Sequence, residues 1–80
     1  MPGLPVVSGR DLIKVMSRLG YQVVRQRGSH ARLKCMTASG EHAITIPLHV
    51  EIAPGTLNDI LSRVALWKGI PKEDLIRMLV

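Results

Sequence analysis

Apolar positions along the chain follow two spacings, one helical and one alternating, and the change from one to the other divides the sequence into elements. Leu12, Met16 and Leu19 recur at helical spacing, with Ile13 and Val15 widening the stripe. Ser8 and Asp11 stand in the Ser-x-x-Asp pattern of a helix N-cap, and Gly20 is placed to stop the helix. From Tyr21 to Arg27 the helical period is lost and β-branched residues predict a strand. Gly28-Ser29 suits a two-residue hairpin, with glycine at the first central position of a type II′ turn. A second strand runs from His30 to about Cys35, with Ala31, Leu33 and Cys35 on one face and His30, Arg32 and Lys34 on the other. Thr37 to Gly40 reads as a turn, and His42 to Ile46 as a third strand that Pro47 ends.

Residues 48–55 form a loop containing His49, Glu51 and Pro54-Gly55. Thr56 and Asp59 repeat the capping pattern ahead of a second helix, whose apolar face carries Leu57, Ile60, Leu61, Val64 and Ala65. Gly69 ends that helix, and Pro71 opens a short terminal one docked by Leu75, Ile76 and Leu79. Residues 1–7, with two prolines, read as an extended lead-in. The expectation is one domain, residues 1–80, of the α+β class in the order α-β-β-β-α with a short C-terminal helix. Three antiparallel strands need helical cover on one face only, which leaves the other open. That is the layout of a double-stranded-RNA-binding-domain-like fold.

Charge sharpens the picture, because the net +5 is unevenly spread. Residues 1–34 carry Arg10, Lys14, Arg18, Arg25, Arg27, Arg32 and Lys34 against Asp11 alone, which makes +6; the remainder is −1. A positive field confined to one part of a fold favours a polyanionic partner. Tyr21 and Trp67 are the only aromatics, which argues against a binder that stacks bases on aromatic platforms. The single Cys35 excludes an internal disulfide and any Cys-x-x-Cys site. No stretch has the length of a membrane span and no signal-peptide pattern opens the chain, so a reducing cytoplasmic setting is expected.

The hairpin register concentrates the chemistry. With Gly28-Ser29 at the tip, Arg27 opposes His30, Arg25 opposes Arg32 and Val24 opposes Leu33. One face then gathers Arg25, Arg27, His30, Arg32 and Lys34, and the other gathers Val24, Ala31, Leu33 and Cys35 for the core. Opposed arginines cost stability unless an anion lies between them. An imidazole in that setting can move protons while arginines hold phosphate. RNA brings its own nucleophile, the 2′-OH, so a single placed histidine can serve slow phosphodiester cleavage.

Gly28-Ser29-His30, preceded by Val24-Arg25-Gln26-Arg27, resembles the signature of HicA toxins, also called the YcfA-like family. The resemblance extends to Leu19-Gly20-Tyr21, to Ile46-Pro47-Leu48-His49 and to Gly55-Thr56-Leu57 with Ile60-Leu61, and covers nearly the whole chain from about Leu4. It implies a toxin of a type II toxin–antitoxin system, an endoribonuclease that cuts mRNA without metal or other cofactor. It also implies catalysis by His30 and neutralisation by a HicB-type antitoxin. Arg25, Arg27, Ser29, Arg32, Lys34 and Lys14 are the expected RNA-binding residues by register and charge. The loop Val50-Glu51-Ile52 departs from the family, being more apolar than the small and basic residues often found there.

The remaining candidates carry less. His49 is either a second acid/base group or a loop-fixing residue, and His42 reads as an exposed or edge histidine. A zinc site from His30, Cys35, His42 and His49 lacks ligand spacing, and His30 and Cys35 face opposite ways. Ser29 has no nucleophile-elbow pattern around it and reads as a turn residue. Cys35 reads as a small core residue, and Trp67 as a core cap or partner contact. The alternative to an enzyme is a non-catalytic RNA-binding module of the same fold.

Overall fold

The computed structural model describes residues 3–80; Met1 and Pro2 of the lead-in lie outside the described residues. The element order is α1 (Gly9–Arg18), β1 (Gln22–Arg27), β2 (His30–Thr37), β3 (Gly40–Pro47), α2 (Pro54–Lys68) and α3 (Lys72–Met78). The strands form one antiparallel sheet in the order β1-β2-β3. This is the expected α+β, double-stranded-RNA-binding-domain-like layout.

Local signals set the first helix. The Ser8 Oγ accepts a hydrogen bond from the Asp11 amide at 3.0 Å, satisfying one of the donors a helix start leaves free. Leu12, Val15 and Met16 are its buried face. Ala31, Leu33 and Cys35 of β2, with Ile44 and Ile46 of β3, present the inner face of the sheet. Leu57, Ile60, Leu61 and Val64 of α2 and Leu75 of α3 complete one core, together with Val7, Tyr21 and Ile52. Truncating a side chain sealed in that core, such as Leu33 or Leu61, removes buried apolar area and leaves a cavity, a cost of about 2–5 kcal/mol.

The second helix begins earlier than its sequence suggests. The expected Thr56/Asp59 cap is replaced by a start at Pro54, with Ala53 as the N-cap residue and no side-chain cap bond. Proline is favoured at the first helical position, having no amide hydrogen to leave unpaired and a φ preset for the helix. Asp59 instead pairs with Arg63 one turn on, at 3.0 Å. Gly69 closes α2 in the left-handed conformation, φ +65°, as its position predicts.

The β1–β2 register also departs from strict alternation. Arg27 faces His30, Gln26 faces Ala31 and Arg25 faces Arg32, as expected. The pairing then skips Val24, and Val23 rather than Val24 lies opposite Leu33. Val24 is an extra residue in the ladder, a β-bulge, and is exposed instead of joining the core. An inserted residue reverses the side-chain alternation of everything beyond it.

His42 is the third correction. The expected exposed or edge histidine is buried. Its Nδ1 shares a 2.7 Å hydrogen bond with the Tyr21 hydroxyl, and its ring stacks on Trp67 with centroids 4.8 Å apart and planes 9° from parallel. Trp67 thereby caps the core from the end of α2. A polar ring inside a core this small is tolerated because its hydrogen bond to Tyr21 is made and one face lies against Trp67.

Burial gives that cluster a pH signature. Desolvation, with a smaller contribution from the Arg63 charge, lowers the His42 pKa from its ordinary 6.5. Just below pH 6.5 the unfolded chain then binds more protons than the folded one, so stability falls as pH falls. Tyr21 runs the other way: burial first, then Cys35, raises its pKa from 10.0 to about 12. Its stabilisation is complete below pH 10 and is lost as pH rises toward 12. Denaturant midpoints measured across pH are expected to show both limbs, and His42→Phe is expected to flatten the limb just below pH 6.5. An unchanged slope there in the variant would assign that limb to other groups.

Candidate functional site

The tip of the β1–β2 hairpin sets the site. Gly28 has φ +57° while Ser29 stays at negative φ, the type II′ pattern its sequence predicts, and His30 follows directly at the start of β2. The tip is tied to the far edge of the sheet: the Leu48 amide donates to the Ser29 carbonyl at 2.6 Å, just beyond the pairing of His30 with Pro47. The loop after β3 is tied in turn to α1, the Gly9 amide donating to the His49 carbonyl at 2.9 Å. The Ile52 amide donates to the Val7 carbonyl at 2.9 Å, pinning the same loop to the lead-in.

His30 is exposed and borders two grooves at once. One groove is lined by Arg25, Arg27, His30, Arg32 and Thr45. The other is lined by His30, Thr45, Pro47, His49, Ala53 and Thr56. The first is a cationic trough: Arg25 and Arg32 face each other across the strands, and no carboxylate lines it. The second brings His49 and the first turn of α2 to the opposite side of His30. That helix end has no side-chain cap and no acidic residue in its first turn, so its positive dipole end is left uncompensated beside the groove. Arg32 Nη1 donates to Thr45 Oγ1 at 3.2 Å, which holds the guanidinium over the junction of the two grooves.

The bulge at Val24 makes this grouping possible. Tyr21 is buried on the core side and Val23 is paired with Leu33. In unbroken alternation Arg25 and Arg27 would share that face. The extra residue turns them to the His30 side.

The other residues singled out by charge lie elsewhere. Lys34 is half-buried and pairs with Glu41 at 3.5 Å, outside both grooves. Lys14 lines a separate groove between α1 and the chain end, with Asp11, Arg18 and Met78 among its neighbours. Ser29 is exposed at the tip, where its carbonyl fixes the loop. Thr45 carries no mark in the sequence, and Thr56 is marked there as a helix cap and a family-motif residue rather than as a groove wall. Alternation along β3 would have put Thr45 beside Arg32, but a lone threonine carries no signal until the register is known. Cys35 is buried, its Sγ 3.6 Å from Lys68 Nζ. Among the described residues no group of three His, Cys, Asp or Glu side chains is placed to hold a metal ion, and no helix is long and apolar enough to cross a membrane.

A family model described as the HicA toxin of bacterial toxin–antitoxin systems matches residues 9–66, more than half of the chain. The chain belongs to the HicA toxin family. It is therefore a toxin of a toxin–antitoxin system, with an antitoxin as its partner. No curated protein and no solved structure matches it. The match to the HicA model runs from Gly9 into α2 and so contains the hairpin tip, His30, the loop with His49 and the start of α2.

Gly9 is the point where this HicA-family toxin leaves no space. A Cβ there would lie 2.1 Å from the Pro47 carbonyl oxygen and 2.9 Å from the Leu48 Cα, both backbone. Gly9→Ala must push apart α1 and the loop that carries His49. Overpacking of this kind costs about 1–3 kcal/mol, more than alanine's helix preference of about 1 kcal/mol returns. Chemical denaturation is expected to show net destabilisation, and equal or higher stability would mean the loop yields freely. Gly28→Ala, with nothing near its Cβ, tests backbone strain alone and is expected to cost about 1–2 kcal/mol.

Proposed function

We propose that this toxin is a cytoplasmic, metal-independent endoribonuclease that cleaves mRNA at His30 and is neutralised by a HicB-type antitoxin. The observation that carries the reading is the position of His30 between a trough of three arginines and a groove holding a second histidine. Membership of the HicA family supports the toxin role, and the chemistry of the two grooves supports the activity.

In this reading the RNA backbone lies along the hairpin tip with the reacting phosphate beside His30. Arg25, Arg27 and Arg32 neutralise its oxygens, a fixed cationic environment that favours the charge developing in the transition state. The first turn of α2 adds its unpaired amides from the other side. One imidazole takes the proton of the 2′-OH, whose oxygen bonds to the adjacent phosphorus. The P–O5′ bond breaks, and the departing oxygen receives a proton from the other imidazole. The products are a 2′,3′-cyclic phosphate and a 5′-hydroxyl. His30 and His49 are the pair for these two transfers, with His30, in contact with the arginine trough, as the principal catalytic residue. Thr45 keeps Arg32 in place, and Ser29 sets the tip that presents His30.

The test is cleavage of a structured RNA by the purified toxin in excess chelator. His30→Ala is expected to lower the rate about 10²–10⁴-fold while leaving RNA bound, the usual worth of a proton-transfer group. His49→Ala keeps the backbone carbonyl that anchors Gly9, so the fold is retained; a rate loss of the same order is expected. A full rate in His49→Ala would return that residue to a loop-fixing role. Binding without cleavage by every form, wild type included, would replace the enzyme with an RNA-binding module. Co-expression with a neighbouring HicB-type protein is expected to yield a stable complex in which cleavage is suppressed.

A further inference from the structure

A third groove continues the surface beyond the two at His30. It is lined by Arg32, Ala43, Ile44, Thr45, Asp59, Ile60 and Arg63, and so shares Arg32 and Thr45 with the arginine trough. Thr45 borders all three grooves, and the bond it accepts from Arg32 marks their meeting point. The surface thus leaves the hairpin, passes Thr45 and runs on along the flank of α2. The charged groups on that stretch are Arg63 and Asp59, paired at 3.0 Å through Arg63 Nε and both largely in water, their side chains 67% and 62% exposed. An exposed pair of this kind contributes little to the helix. It leaves the outer nitrogens of the guanidinium able to meet an anion, and it sets a carboxylate beside the same path.

We propose that this flank of α2 is a binding site for the RNA backbone beyond the cleaved phosphate, with Arg63 its phosphate-holding residue and Asp59 the group that limits its grip. The proposal rests on the RNA reading of the His30 site and extends it from one phosphate to a track. Arg63 lies outside the basic first part of the chain, and neither its charge balance nor its helix position marks it. Only the packing of α2 along the β3 edge brings it level with Arg32. Asp59 holds the guanidinium in place but repels the strand that guanidinium would bind. The two partners of one ion pair therefore have opposite effects on RNA.

That opposition makes the test specific. In a His30→Ala background, which prevents cleavage, binding of a single-stranded oligoribonucleotide long enough to run from the hairpin past α2 is measured against salt. Arg63→Ala is expected to weaken binding several-fold and to reduce the magnitude of the slope of log affinity against log salt by about 0.7, the loss of one single-strand phosphate contact. Asp59→Asn is expected to strengthen it. Arg63→Lys should recover most of the slope, since a point charge suffices for a phosphate. Both Arg63→Ala and Asp59→Asn break the same ion pair, so a purely helix-stabilising role would move them in the same direction. A dinucleotide, too short to reach α2, should respond to Arg63→Ala much less than the long strand does. Changes of the same sign, or unaltered long-strand affinity in both variants, would overturn the proposal and leave the His30 site intact. If the His30→Ala protein with Arg63 and Asp59 unchanged binds no RNA at any salt, the RNA reading falls and this extension with it.

Discussion

Strict alternation in β1 would part the arginines of that strand from His30. Tyr21 points into the core, and from there a two-residue period would carry Val23, Arg25 and Arg27 to the same side. There the two arginines would share a face with Ala31 and Leu33 and be parted from His30 and Arg32. The bulge at Val24 removes the conflict by inserting one residue between the apolar start of the strand and its cationic end. The apolar end can then anchor through Tyr21 while the other end lays Arg25 and Arg27 beside His30. The exposed Val24, which looks wasteful on an edge strand, is what that change of face requires.

The result is a face with few contacts of its own, chiefly the Arg32–Thr45 hydrogen bond and the Lys34–Glu41 ion pair. Arg25 and Arg32 repel across the ladder, no carboxylate lines their groove, and Glu41, Asp59 and Asp74 pair instead with Lys34, Arg63 and Arg77. The scaffold absorbs this because its stability is generated on the opposite side of the sheet, by the helices and by the Tyr21–His42–Trp67 cluster. The hairpin tip is held by backbone bonds from Leu48 to Ser29 and from Gly9 to His49, which do not depend on the site's side chains. Charged residues at the tip can thus serve a ligand without being needed for folding.

Much of this was legible in the residues themselves. The helix cap at Ser8, the II′ turn at Gly28-Ser29, the strand order and the company of His30 all follow from short-range rules, because each depends on neighbours in the chain. What escaped depends on packing. No local signal distinguishes a bulge at Val24 from simple pairing, since Val23 and Val24 are chemically identical. His42 reads as a polar residue near a turn until Tyr21 and Trp67, from two other elements, close around it. The early start of α2 is masked because Thr56 and Asp59 mimic a cap, whereas Pro54 supplies the start without one. The same mimicry hides a feature of the site, for the uncapped first turn of α2 is one wall of the groove at His30.

These exposures also bear on how such a toxin is restrained. His30, Arg25, Arg27 and Arg32 are open to solvent on the helix-free face of the sheet, so a macromolecule that reaches one can reach all of them. A partner protein presenting carboxylates there would relieve the Arg25–Arg32 repulsion that the free toxin carries. Under the proposed function, the phosphates of an RNA substrate would relieve it in the same way. Antitoxin and substrate would then draw on one electrostatic term, and occupancy by either would exclude the other without any change of fold. Added salt would weaken both, so the balance between them would depend on the apolar contacts that a protein partner can make and a phosphate backbone cannot.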